Sequence, residues 1–242
     1  MRILIIRHGD PDYERDSLTE KGWREVELLA ERLEKTEIND FYVSPLGRAR
    51  DTAQPTLKRH KKSALICDWL QEFPPQIQRP DKGGEKTITW DWLPQDWTAD
   101  VRYFQAEEWY KTEIMQAGNV EVAYRYVTEG LDRVLAEHGY VREGKLYRAE
   151  KSNRETIAFF CHFGLECVLL SHLMNVSPMI LWHHACAAPS SVTTLTTEER
   201  RQGKAVFRMS SFGDISHLYA GGEDSSFQAR FCETFDSKER HD

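Results

Sequence analysis

The chain has 242 residues, enough to bury a full core in one domain with an insertion, or at most two domains. Its net charge of −7 excludes a broad cationic surface for nucleic acid, so any anion site must be a local basic pocket within an acidic protein. No apolar run is long enough to span a bilayer, and the first strand begins at the N-terminus with no leader-like segment, which places the chain in the cytoplasm and off the membrane.

Ile3 to Ile6 is a short, β-branched run and reads as a buried strand. Asp16 to Gly22 opens a helix with Thr19 as its N-cap, and Trp23, Val26, Leu29, Ala30 and Leu33 recur on the face that should meet the sheet. Asp40 to Ser44 forms a second strand. Leu46 to about Arg59 is helical, with Pro55 expected to bend it or end its first part. Ala64 to Leu70 reads as a third strand. Between Phe73 and Met115 the pattern breaks: prolines and Gly83-Gly84 give way to Trp90, Trp92, Trp97 and Trp109, four of the seven tryptophans. Such a segment is a cap over a pocket, or an insertion whose aromatics pack on themselves, and both can hold at once.

Tyr124 to His138 is an amphipathic helix stopped by Gly139, Thr156 to Cys161 is a fourth strand, and Leu165 to Met174 is the helix after it. Ser191 to Thr197 and Ala205 to Ser210 make a hairpin at the far side of the sheet. Asp236 to Asp242 is a charged, frayed tail. The cysteines (Cys67, Cys161, Cys167, Cys186, Cys232) are odd in number and lack a CxxC pair, which suits reduced thiols.

The first strand delivers Arg7-His8-Gly9, so an imidazole and a guanidinium stand at the C-terminal edge of a sheet, where open α/β sheets place ligands. Ser44-Pro45-Leu46-Gly47-Arg48-Ala49 follows the second strand, Glu72 the third, and His162-Phe163-Gly164 the fourth. This ordered set resembles the histidine phosphatase superfamily, the phosphoglycerate mutase-like proteins, in its cytoplasmic branch. The resemblance covers roughly the first seventy residues and resumes from about 120 to about 220. It implies a three-layer α/β/α sandwich around a mainly parallel central sheet, one domain over residues 1–242, with 73–115 inserted as an aromatic-rich cap.

It also implies a chemistry that the residue types can perform. Neutral His8 attacks phosphorus and becomes a phosphohistidine, while Arg7 and Arg48 clamp phosphate oxygens and His162 donates to them. Cationic neighbours disfavour protonation of His8. Glu72 is the expected proton donor to the leaving group, with Asp68, Glu107 and Glu108 as rivals. Gly9, Ser44, Phe163 and Gly164 line the substrate site, and neither metal nor cofactor is expected.

Alone, His8 would read as a satisfied structural histidine; its companions argue otherwise. Arg50 points away from Arg48 and is solvated. His183-His184 completes no zinc spacing with Cys186 and reads as helix end or pocket wall. His217 reads as structural. After Arg-His-Gly, mutases continue Glu-Ser and then Trp-Asn; here Asp10-Pro11-Asp12-Tyr13 follows, with no asparagine in the matching region. The expectation is therefore a phosphomonoester hydrolase for a small phosphorylated metabolite. A phosphoglycerate-type mutase and an inactive phosphate-binding or regulatory protein are the alternatives.

Overall fold

The computed structural model describes residues 1–229 and 231–239. Strand β1 (Arg2–Arg7) is apolar on both faces, with Ile3, Ile5 and Ile6 fully buried. A small ribbon of β2 (Pro11–Asp12) and β3 (Ser17–Leu18) leads into α1 (Glu20–Glu34), whose Thr19 cap accepts the Gly22 amide at 3.0 Å. Next come β4 (Asp40–Val43) and α2 (Gly47–His60). Pro55 lies inside α2 without ending it; a proline removes one ladder hydrogen bond, and burial of Ala49, Thr52, Ala53 and Thr56 holds the helix across the gap.

The expected third strand is cut down to β5 (Leu65–Ile66), followed by a 3-10 turn at Asp68–Leu70. Strand β5 is the sheet edge, with both side chains exposed, and the turn swings Trp69 and Leu70 into the core instead. The aromatic segment holds a second ribbon, β6 (Gln76–Gln78) with β7 (Lys86–Ile88), then α3 (Pro94–Trp97) and α4 (Glu113–Ala117). Helix α5 (Val120–Glu137) starts one turn earlier than its periodicity suggests and closes on Gly139 at φ +87°. It is followed by a hairpin absent from the sequence reading, β8 (Tyr140–Glu143) and β9 (Leu146–Ala149). Strand β10 (Thr156–Cys161), α6 (Phe163–Met174), α7 (Pro178–His184), β11 (Val192–Arg201), β12 (Lys204–Asp214) and α8 (Ser216–Gly221) complete the strands and α-helices of the described residues. Residues 236–239 are exposed; the rest of the expected frayed tail, 240–242, lies outside the described residues.

Eight strands form one sheet in the order β5-β4-β10-β1-β11-β12-β9-β8. The half from β5 to β1 is parallel, and the half beyond β1 is antiparallel. The long β11–β12 hairpin therefore sits directly against β1 rather than at the far side, which β8–β9 occupies. Leu29 and Leu33 of α1 and Ala49 and Ala53 of α2 cover one face through Leu4, Ile6, Phe41 and Phe160. The other face, through Ile3, Ile5, Ile157 and Phe159, meets Leu131 and Leu135 of α5 and Leu165 and Leu169 of α6. This is a three-layer α/β/α arrangement around a mixed sheet. Trp23, expected to face the sheet, is half-exposed in a groove beside α2.

The segment 73–115 joins the second core instead of forming one of its own. Phe73, Ile77, Trp97, Trp109 and Met115 belong to the same buried cluster as α5, α6 and α7. The His183 Nε2 accepts the Trp92 amide at 3.0 Å, and its ring stacks on Trp97 at 4.9 Å. The aromatics also pack among themselves, as Trp92 does against Tyr103.

Candidate active site

Three parallel strands end level with one another. Arg7 pairs with Cys161 and Phe160 with Val43, and the ladder runs one residue further, with the His8 amide donating to Cys161 O and the Ser44 amide to Phe160 O, both at 3.0 Å. Register alone thus carries His8, Ser44 and His162 to one edge of the sheet. The two imidazoles face each other with centroids 5.1 Å apart.

His8 is 2% exposed. Its Nδ1 lies 2.8 Å from Gly9 O, so Nδ1 carries the proton and Nε2 is left with its lone pair. Burial first, and then Arg7 and Arg48, push its pKa down to about 3. Its ring is therefore neutral at ordinary pH. Gly9 has no room for a side chain: a Cβ would stand 2.9 Å from Val26 Cγ1 and 3.1 Å from Gly22 O. The Gly9 amide donates to Thr52 Oγ1 at 2.9 Å, and that hydroxyl donates to Arg48 O at 2.7 Å.

Arg48, in the first turn of α2, is held by Asp16, whose Oδ1 is 2.7 Å from Nη1 and whose Oδ2 accepts the Gly47 amide at 2.6 Å. Asp16 takes this position with φ +47°, a left-handed conformation that aspartate tolerates better than most residues. Arg7 is buried; its Nη1 donates to Ala187 O, and its guanidinium lies 5.7 Å from the Phe163 ring centre. The Nε of each arginine is buried with no hydrogen-bond partner among the described residues.

His162 is fully buried, with Nε2 2.8 Å from Ser44 Oγ and Nδ1 without a partner among the described residues. Burial, followed by His8, Arg48 and Arg7, depresses its pKa well below the usual imidazole value. Glu72 lies against the start of α6, accepting Phe73 N at 2.9 Å, Leu165 N at 3.0 Å and Gly164 N at 3.4 Å. Those amides and Arg7 favour the carboxylate, yet desolvation outweighs them and raises its pKa. Gly164 makes the approach possible: a Cβ there would fall 2.7 Å from the Trp90 ring and 2.8 Å from Glu72 Oε1.

Arg7, His8, Arg48, Glu72 and His162 are thus brought to one edge, with Gly9, Ser44, Phe163 and Gly164 among them. The rival carboxylates are elsewhere: Asp68 is exposed, Glu108 pairs with Lys111 at 2.6 Å, and Glu107 lies 3.9 Å from Lys145. Arg50 lines the groove of about 820 Å³ beside Trp23, away from the imidazoles. His217 is buried, its Nε2 3.0 Å from Ser190 Oγ, while the Ser190 amide donates to His8 O.

Four neighbours were not singled out from sequence. Asp16 was read as part of a helix opening and Thr52 as part of the helix after the second strand. Trp90 was one aromatic among many. Glu166 is the least expected: it is 1% exposed, and burial pushes its pKa up to about 7 against the pull of Thr193 and Arg7. Neither of its oxygens has a partner in good hydrogen-bond geometry among the described residues; the Thr193 hydroxyl approaches it only loosely. A lone glutamate within the run Leu165 to Leu173 was the available signal.

Residues 3–208 match the family model of the histidine phosphatase superfamily (branch 1), and the chain belongs to that family. It is 41% identical over 94 residues to a 2,3-bisphosphoglycerate-dependent phosphoglycerate mutase of Thermoplasma acidophilum, a match covering 35% of this chain and 47% of that protein. It is 28% identical over 225 residues to the mitochondrial serine/threonine-protein phosphatase Pgam5 of Caenorhabditis elegans, covering 89% and 63%. The chain thus spans less than two thirds of either relative. Among solved structures, a phosphoserine phosphatase variant of Entamoeba histolytica in complex with phosphoserine superposes with a TM-score of 0.57 at 17% identity, covering 90% of this chain and 98% of that one. A mycobacterial glucosyl-3-phosphoglycerate phosphatase does so with a TM-score of 0.54 at 18% identity, covering 87% and 98%. At those identities the likeness is one of fold. Among the described residues no helix is long and apolar enough to cross a membrane.

Proposed function

We propose that this protein is a metal-independent phosphomonoester hydrolase of the cytoplasm, acting on a small phosphorylated metabolite through a phosphohistidine at His8. The observation that carries the reading is the His8 ring itself, neutral by burial and oriented by Gly9 O so that Nε2 keeps its lone pair. In the first half-reaction Nε2 attacks phosphorus and the P–O bond to the alcohol breaks, the departing oxygen taking a proton from Glu72. In the second, Glu72 removes a proton from water, whose oxygen displaces His8 from phosphorus and releases inorganic phosphate. Arg7, Arg48 and the free nitrogen of His162 serve as donors to the equatorial oxygens, and the two arginines supply the charge that a metal supplies in other phosphoryl transfers. Gly9 lets the backbone approach the phosphate, Ser44 fixes His162, and Phe163 and Gly164 wall the site. The segment 73–115 caps the pocket.

The Entamoeba structure supports this reading through its phosphoserine ligand, and both structures through their named phosphatase activities. Identity with the Thermoplasma mutase favours the alternative of a phosphoglycerate-type mutase. The test is hydrolysis of an aryl phosphate alongside acid-labile, base-stable labelling of the protein from that substrate. Both should vanish in His8→Ala. Bisphosphoglycerate-dependent isomerisation faster than hydrolysis would establish the mutase instead, and phosphate binding with no turnover and no labelling would leave a binding protein.

A further inference from the structure

A cleft of about 280 Å³ has Arg7, Phe163, Trp182, Trp90, Ile88 and Asp91 in its lining. Trp90 and Trp182 lie 5.9 Å apart at a shallow angle of 31°, and Phe163, at the start of α6, adds a third ring to the lining. Trp90 packs over Gly164 immediately beside Glu72, so a leaving alcohol protonated by Glu72 would lie against these rings. The lining also carries one carboxylate, Asp91. Asp91 holds a left-handed backbone at φ +66°, placed there by the turn between β7 and the buried Trp92. Among the described residues lining the cleft, Arg7 is the only cationic side chain, and the phosphate claims it.

We infer that this cleft is the leaving-group subsite and that it selects phosphate monoesters of aromatic or apolar alcohols lacking a carboxylate. The inference rests on the phosphatase reading above and adds its substrate class. Indole faces reward a flat or apolar body that leaves water. A carboxylated alcohol, such as the glycerate of 3-phosphoglycerate, would set its charge near the Asp91 carboxylate with no second cation to balance it.

The experiment compares kcat/KM for 2-phenylethyl phosphate, ethyl phosphate and 3-phosphoglycerate, three alkyl esters, so that leaving-group acidity contributes little. The phenylethyl ester should exceed the ethyl ester by about 10-fold or more, and 3-phosphoglycerate should be the poorest of the three. Trp90→Ala should collapse the phenylethyl-to-ethyl ratio. Asp91→Asn keeps a residue suited to positive φ and should raise the rate on 3-phosphoglycerate relative to phenylethyl phosphate. A wild-type preference for 3-phosphoglycerate, or ratios that neither variant moves, overturns the inference while leaving the phosphatase standing. Turnover of none of the three, nor of an aryl phosphate, removes the phosphatase reading itself.

Discussion

Ser44 Oγ lies 2.8 Å from His162 Nε2 and also accepts the Leu46 amide at 3.3 Å. A buried hydroxyl needs an acceptor for its proton, and Nε2 is the one in reach, so Ser44 donates and the His162 proton resides on Nδ1. That nitrogen has no hydrogen-bond partner among the described residues and is the one left to meet a phosphate oxygen. Ser44→Ala releases the tautomer. It should lower kcat/KM by about 10- to 100-fold with little change in urea midpoint, measured on phenyl phosphate. An unchanged rate would mean that His162 meets the phosphate by another route.

Asp16 acts on Arg48 in the same indirect way. Asp16→Asn keeps the positive φ but removes the charge facing Nη1, so the guanidinium should lose its fixed direction. The expected outcome is a rise in KM together with a fall in kcat of about 10-fold, restored in Asp16→Glu less than in the parent. Steady-state kinetics on one aryl substrate suffices.

The pH profile follows from two shifts of opposite sign. The His8 pKa lies at about 3, so the nucleophile stays deprotonated through the mildly acidic range. The Glu72 pKa is raised, so the acid form survives above the ordinary carboxylate value of 4.5, and activity declines on the alkaline side as it ionises. After correction for the substrate's own ionisation, Glu72→Gln should abolish that alkaline limb for alkyl phosphates. It should spare aryl phosphates, whose leaving groups need less protonation.

Glu166 makes a stability prediction. The unfolded carboxyl releases its proton near 4.5, whereas the folded one keeps it until about 7, so the folded state binds more protons in between. Stability then falls as pH rises through that window and levels off above it. Glu166→Gln should flatten this slope in urea unfolding at pH 5 and pH 8. The Glu72 carboxylate adds to this rise, so Glu72→Gln should move the same slope to lower pH.

Gly164→Ala tests how tightly the acid is seated. An added methyl must displace the Trp90 ring or Glu72, both of them side chains, so the fold should survive. A drop of about 10-fold in kcat on alkyl phosphates, and a smaller one on aryl phosphates, is expected.

Arg7, His8, Arg48 and His162 were legible because each follows directly on an apolar strand or opens a helix, and parallel register sends all of them to one edge. Glu72 was legible from its place after the third strand, although that strand shrank to Leu65–Ile66, an edge pair with β4 as its single neighbour. The β8–β9 hairpin escaped because Tyr140 and Tyr147 are its main inward anchors, spread among Arg, Glu and Lys with little alternation. The turn at Gly144, with φ +61°, was the missed cue. Asp16 was beyond pattern reading, since its meaning depends on the cation that stands opposite; Glu166 offered only its isolation in an apolar run.

Strand β1 gains its neighbours late along the chain: Arg2 to Arg7 pair with residues 156–161 on one side, and Arg2 to Ile6 with 192–196 on the other. Closing separations of that size is the slow part of assembling a fold. Helical structure builds from contacts close in sequence, whereas His8 comes opposite His162 only when β1 pairs with β10. Recovery of turnover after dilution from denaturant should accordingly trail the return of helical signal, making catalysis a clock for the final docking of the two ends of the chain.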